Sequence, residues 1–153
     1  MTEHMLAAFL KKYHMKLTTA ESCTGGLLAG TFMNVPGVSD VYEEGYITYA
    51  NKSKHKLLGV KKKTLKEHGA VSRQTAKQMA KGAAKAAGAD VAISVTGITG
   101  PYGGTEEKPV GLVYIGCFVD GKTRVRKCNF QGDREKVRSQ TVQAAMEFAI
   151  ECI

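Results

Sequence analysis

The chain has 153 residues, 43% of them hydrophobic and 24% charged, with a formal net charge of +8. That length suits one domain with a core that needs neither disulfides nor metal, and no apolar run is long enough to span a bilayer. The four cysteines (Cys23, Cys117, Cys128 and Cys152) form no CxxC pair, which argues against a zinc site or a disulfide framework and reads as packing thiols.

The opening MTEHMLAAFLKKYH lacks a basic leader and a cleavage site before its apolar part. It predicts an amphipathic helix over 3–14, with Leu6, Phe9, Leu10 and Tyr13 on one face, in a cytoplasmic protein. Lys16 to Ala20 predicts a short strand running into Ala20-Glu21-Ser22-Cys23-Thr24-Gly25-Gly26. A short apolar helix over 26–33 follows and ends at Asn34-Val35-Pro36-Gly37. Residues 41–50, VYEEGYITYA, have the aromatic and β-branched content of a strand. Asn51 is placed to cap a helix that holds Lys54 and Leu57 and stops near Gly59. A short helix over 64–68 and a long one capped by Ser72 and closed by Gly88 come next.

Residues 90–96 predict a buried strand, followed by a second glycine-rich loop, GITGPYGGTEEKP. Two alternating runs, 110–119 and 122–130, flank Asp120-Gly121, the preferred pair for a two-residue hairpin. A last helix starts after Gly132-Asp133-Arg134 and carries Val137, Thr141, Ala144, Ala145 and Phe148. Interleaved helices and strands with one antiparallel hairpin predict a single α/β domain over 1–153. Its expected form is a three-layer α/β/α sandwich on a mixed sheet.

Three loops, AESCTGG, TGITGPYGG and FQGDR, each leave a predicted strand and carry glycines. Loops at the carboxyl ends of strands converge, and glycines let backbone amides approach a ligand. Together they favour a pocket for a small phosphorylated or carboxylated ligand over three unrelated tight turns. Neither the GxxxxGK[ST] nor the GxGxxG spacing is present, which weighs against nucleoside-triphosphate hydrolysis and hydride transfer. Ser22 and Thr24 straddle a helix start, where a hydroxyl can cap or attack; Cys23 reads as packing. His4, His14, His55 and His68 fall on exposed helix or loop, and no Gly-x-Ser-x-Gly elbow exists. A lysine is the remaining base, and Lys54 is the candidate against the plainer reading of a surface lysine. Lys52, Lys54, Lys56, Lys61, Lys62, Lys63 and Lys66 lack interleaved aromatic residues, and Lys122, Arg124, Arg126 and Lys127 alternate with Thr123 and Val125. Both groups read as solvated surface, and no nucleic-acid partner is expected.

The stretches TTAESCTGG, VPGVSDVYEEGYITYANKSKHKLLGV, HGAVS, GITGPYGGTEEKPVG and FQGDREKVR occur in one order over nearly the whole chain. By them the chain resembles the C-terminal domain of the competence/damage-inducible CinA family, whose stand-alone members include nicotinamide-nucleotide amidases. The resemblance implies a hydrolase of a linear amide bond that converts nicotinamide mononucleotide to nicotinic acid mononucleotide and ammonia. No metal or organic cofactor is implied, and the expected partner is a second copy in a homodimer. By position, Ser22 becomes the nucleophile and Lys54 its general base. Thr24, Gly25 and Gly26 would shape the site and supply oxyanion amides, and Tyr49 would line it. Gly97, Thr99, Gly100, Gly103 and Gly104 would form a second wall. Arg134 and Arg138 are candidates for charge near the phosphate, with salt bridges to Asp133 or Glu135 as the alternative. Ala50, Thr99 and Tyr102 depart from the family pattern, and Tyr102 is expected to narrow the pocket. The alternatives are a non-catalytic binding module connected with competence or DNA damage and an amidase for another small nucleotide amide.

Overall fold

A computed structural model describes residues 1–153. The elements are α1 (Thr2–Lys12), β1 (Leu17–Glu21), α2 (Leu27–Phe32), β2 (Tyr46–Ile47), α3 (Asn51–Leu58), α4 (Lys62–His68), α5 (Arg73–Ala87), β3 (Val91–Gly97), β4 (Leu112–Val119), β5 (Lys122–Asn129) and α6 (Arg134–Cys152). The sheet order is β2-β1-β3-β4-β5. β1 is parallel to β2 and β3, whereas β3, β4 and β5 run antiparallel, so the sheet is mixed as expected. Glu21 pairs with Ile47 on one side and Val95 on the other. The loops leaving these three strands therefore meet at one sheet edge, the place where open α/β sheets bind ligands.

Helices cover both faces, and alternation along the strands decides what each face presents. Val91, Ile93 and Val95 of β3 and Val113, Ile115 and Cys117 of β4 join the larger core beneath α1, α2 and α6. Ala20 and Ala92 face the other way, with Met79, Ala83 and Ala84 of α5. That second layer is close-packed through small residues. An added Cβ on Gly116 would lie 2.6 Å from the Ala76 carbonyl oxygen, and one on Gly82 only 1.7 Å from the Leu58 carbonyl oxygen. Polar strand residues on this face are bonded to backbone: Ser94 Oγ donates to Ala76 O at 2.6 Å and Thr96 Oγ1 to Ala70 O at 2.9 Å. Each hydroxyl is thereby paired away from water.

The hairpin forms at Asp120-Gly121 with φ of 48° and 82°, the paired positive values of a type I′ turn. Ser72 caps α5 by accepting from Thr75 N, and Asp133 caps α6 by accepting from Lys136 N. No helix is long and apolar enough to cross a membrane.

Several expectations are corrected. The strand predicted over 41–50 shrinks to Tyr46–Ile47, with one isolated bridge from Tyr42 to Leu17. Tyr42 turns its hydroxyl to Thr19 Oγ1 at 2.7 Å, and Gly45 lies against it so closely that a Cβ would fall within 1.9 Å of that hydroxyl. That packing pulls 43–45 off the ladder. Asn51 is the first helical residue of α3, and Ala50 occupies the cap position with no side-chain bond. Arg124 is exposed and Arg126 partly so, as a solvated strand face requires, and both also lie over the Phe148 ring, at 5.5 and 4.5 Å from its centroid. The apolar end of α6 places Ala145, Met146, Phe148 and Ala149 in the chain's own core.

Candidate active site

The site is built outward from the end of β1. Glu21 is buried, and its Oε1 accepts from Thr24 Oγ1 at 2.6 Å, Gly26 N at 3.1 Å and Leu28 N at 2.9 Å. Oε2 accepts from Ala29 N at 3.0 Å. The carboxylate thus answers the unpaired amides that open α2 and complements the helix dipole. The chain reaches this geometry through positive φ at Gly25 (55°) and Gly26 (105°), conformations that glycine adopts without steric cost. Sequence reasoning assigned Glu21 no role; an acid just ahead of a glycine-paired helix start was the available signal.

This arrangement corrects the oxyanion assignment. Gly25 N donates to Ser22 O at 3.1 Å and Gly26 N is held by Glu21, so neither amide is free. The amides of Cys23 and Thr24 have no acceptor within the chain. Arg138 fixes the peptide between them: Nε donates to Cys23 O at 3.1 Å and Nη2 to Thr24 O at 2.8 Å. Because a trans peptide opposes its C=O and N–H, the Thr24 N–H points away from Arg138.

Ser22 follows Glu21 and is 8% exposed. Lys54 comes from the second turn of α3, and of the seven lysines in its basic group it alone is buried, with no exposed surface. Its Nζ lies 3.0 Å from Ser22 Oγ, 2.9 Å from Thr48 O and 2.9 Å from Tyr49 O. Desolvation lowers the amine from 10.5 to about 8. In the neutral form two N–H groups are taken by the two carbonyls, which leaves the lone pair facing Ser22 Oγ. Ser22 Oγ also donates to Tyr49 O at a longer 3.4 Å. Cys23 is buried and its thiol is pushed up to about 12 by desolvation, which makes it a packing group. The four histidines are all exposed, and none contacts Ser22.

The opposite wall is the loop after β3. Ile98 N donates to Leu112 O and Gly111 N to Ile98 O, closing its base. Several of its glycines answer to packing. A Cβ on Gly97 would sit 2.6 Å from Val113, one on Gly100 2.6 Å from Val110, and one on Gly104 2.9 Å from Val110. Gly100 and Gly103 also hold φ of 80° and 91°. Thr99 is 5% exposed, while Tyr102 is 88% exposed and stands out from the chain instead of narrowing the pocket.

Neither arginine of α6 pairs with Asp133 or Glu135. Arg134 joins the two walls, with Nη1 donating to Gly100 O at 2.7 Å and Nη2 to the Tyr49 hydroxyl at 3.4 Å. Tyr49 itself is exposed. A cavity of about 520 Å³ lies beside them, lined by Leu27, Arg134, Glu135, Arg138 and Ser139. No three His, Cys, Asp or Glu side chains converge on a point that could hold a metal ion.

The chain is similar to known proteins in sequence and in fold. The family model for the CinA C-terminal domain matches residues 1–153. A competence-damage inducible protein of Clostridium acetobutylicum is 52% identical over 146 residues, 95% of this chain and 36% of that protein. A CinA-like protein of Kosmotoga olearia is 53% identical over 146 residues, with 95% and 35% covered. The chain thus spans about a third of the length of these relatives. Among solved structures, a competence/damage inducible protein from Agrobacterium tumefaciens superposes with a TM-score of 0.92 at 41% identity, covering 99% of this chain and 95% of that one. A CinA superfamily protein from Escherichia coli superposes with a TM-score of 0.96 at 34% identity, covering 99% and 88%. The chain belongs to the CinA C-terminal domain family.

Proposed function

We propose that this protein is an amidohydrolase that converts nicotinamide mononucleotide to nicotinic acid mononucleotide and ammonia. The observation that carries the reading is the buried pair of Ser22 Oγ and Lys54 Nζ at 3.0 Å, with two carbonyls holding the amine's other protons. A lysine without exposed surface and without a carboxylate partner is costly to keep, and a shifted amine beside a hydroxyl is the arrangement a serine nucleophile needs. The substrate class comes from the family resemblance.

Lys54 takes the Ser22 proton as Ser22 Oγ attacks the carboxamide carbon. The tetrahedral oxyanion is met by the amides of Cys23 and Thr24, which have no other acceptor. Lys54 returns the proton to the departing ammonia, leaving a nicotinoyl ester on Ser22. Water then attacks that ester with Lys54 again accepting the proton, and the acid and free serine are released. The pyridinium charge of the substrate withdraws electrons from the amide, which suits so modest a nucleophile. Arg134 holds Tyr49 and Gly100 in register across the opening and offers positive charge to the nucleotide phosphate.

The test is ammonia release from nicotinamide mononucleotide by purified protein beside Ser22→Ala and Lys54→Ala. Release that both substitutions abolish supports the reading; no release by wild type, under conditions where the protein is folded, overturns it.

A further inference from the structure

A wall can shape a pocket only if it is held in place, yet residues 101–110 of the second wall are all exposed except Lys108, which is partly buried. Lys108 Nζ donates to His68 O at 2.5 Å, 40 positions away at the last residue of α4. A cation there pairs one of the carbonyls orphaned at a helix end and faces the negative end of the dipole. Gly69 follows with φ of 78°, and a Cβ on it would lie 3.1 Å from that Nζ, so glycine keeps the approach open. The next two carbonyls are also bound by side chains. Gly69 O accepts from Ser72 Oγ at 3.0 Å and Thr75 Oγ1 at 2.7 Å, and Ala70 O accepts from Thr96 Oγ1 at 2.9 Å. The turn that receives Lys108 is thus fixed to both α5 and β3. No step of the amidase reading uses this turn or Lys108.

We propose that Lys108 is a positioning residue for substrate binding: it anchors the second wall to the end of α4 and so sets the place of Gly100 across the site from Ser22. The proposal rests on the amidase reading. The anchor is passed along by contacts at each step. Thr105 N donates to Lys108 O at 2.8 Å and Lys108 N to Thr105 Oγ1 at 3.0 Å, which closes the turn and fixes the Lys108 backbone. Val110, two residues further on, occupies the space that a side chain at Gly100 or Gly104 would need, with Cβ positions 2.6 and 2.9 Å from it. Gly100 O in turn accepts from Arg134, whose other terminal nitrogen donates to the Tyr49 hydroxyl.

Beyond its base at Ile98 and Gly111, the wall is therefore held from two sides, by α4 through Lys108 and by α6 through Arg134. Removing the first hold leaves Gly100 tied from one side only. The reacting pair itself is untouched, because Lys54 Nζ is held by Thr48 O and Tyr49 O and contacts nothing in the wall. Loss of the anchor should consequently appear in binding and not in the chemical step, a separation that KM and kcat report.

Lys108→Met keeps the aliphatic stem and removes both donor and charge; Lys108→Arg keeps a cationic donor. Kinetics of ammonia release from nicotinamide mononucleotide are measured for both beside wild type. Hydrogen exchange of the peptides spanning 98–112 and 122–129 is followed by mass spectrometry in the same three proteins without substrate. Because a hydrogen bond to a charged group is being removed, Lys108→Met should raise KM at least about fivefold and leave kcat within about twofold. It should also speed exchange in 98–112 while 122–129, on β5, stays as in wild type and reports an intact fold. Lys108→Arg should restore both readouts most of the way. Unchanged exchange in 98–112 of Lys108→Met, a fall in kcat at constant KM, or Lys108→Arg behaving as Lys108→Met would overturn the proposal. Exchange needs no turnover, so a wild type that releases no ammonia refutes the amidase reading, while the anchor still stands or falls on the 98–112 peptide.

Discussion

Replacing Lys54 with arginine keeps a positive charge at the site and removes its capacity to accept a proton near neutrality. Desolvation holds the Lys54 amine at about 8, against 10.5 in water. At pH 7 a group titrating near 8 is about 9% neutral, whereas one at 10.5 is about 0.03% neutral. Burial therefore enlarges the population of usable base about 300-fold. From this, kcat/KM for ammonia release should climb about tenfold per pH unit below 8 and level off above it. Lys54→Arg should lose at least about a hundredfold, and its residual rate should carry no inflection near 8. The assay follows ammonia from nicotinamide mononucleotide across about pH 6 to 9.5 at fixed ionic strength. A flat wild-type profile, or the same inflection retained in Lys54→Arg, would refute the assignment of Lys54 as the base.

The same amine leaves a mark on stability. Its folded value lies below its unfolded one, so the unfolded chain binds more protons between about 8 and 10.5 and the folded state gains stability as pH rises through that window. Urea titrations at about pH 7.5 and 10 should show wild type gaining relative to Lys54→Met; an unchanged difference counts against the buried amine. Glu21→Gln can keep three bonds on one oxygen but sets an NH2 group against Ala29 N–H, so it should cost about 2–4 kcal/mol by urea denaturation and lower kcat. Ala50→Ser should supply the side-chain cap that α3 lacks and raise stability by about 0.5–2 kcal/mol, whereas no change would mean the cap position is misassigned. Gly82→Ala places a methyl inside contact distance of the Leu58 carbonyl and should cost about 3 kcal/mol in the same titration, because α3 must lift from α5.

Much of the framework was readable because its signals are local. Ser72 and Gly88 bound α5, Asp120-Gly121 turns the hairpin, and Asp133 caps α6, each through residues adjacent in sequence. The Ser22–Lys54 pairing could be proposed because the strand before each residue led to the same sheet edge. Which lysine of the basic run is buried could not be read, since burial is decided by the long-range packing of α3 on α5. Residues 41–50 misled for a related reason: their composition is that of a strand, but Tyr42 bonds to Thr19, 23 positions away, and takes the backbone with it. The role of Glu21 was hidden because a buried carboxylate looks like any other acid until the four donors around it are placed. The arginines of α6 were read as alternatives between phosphate and carboxylate; their actual partners are backbone carbonyls and a tyrosine hydroxyl, which no side-chain pattern announces.

On the proposed reading, Ser22, with Lys54 as its base, opens the carboxamide of nicotinamide mononucleotide. Its most direct test measures ammonia and nicotinic acid mononucleotide together, from wild type and from Ser22→Ala shown to be folded. Equimolar release of both products by wild type, reduced by at least about a thousandfold in Ser22→Ala, is the predicted result. Undiminished release by Ser22→Ala, or none by wild type, would contradict it.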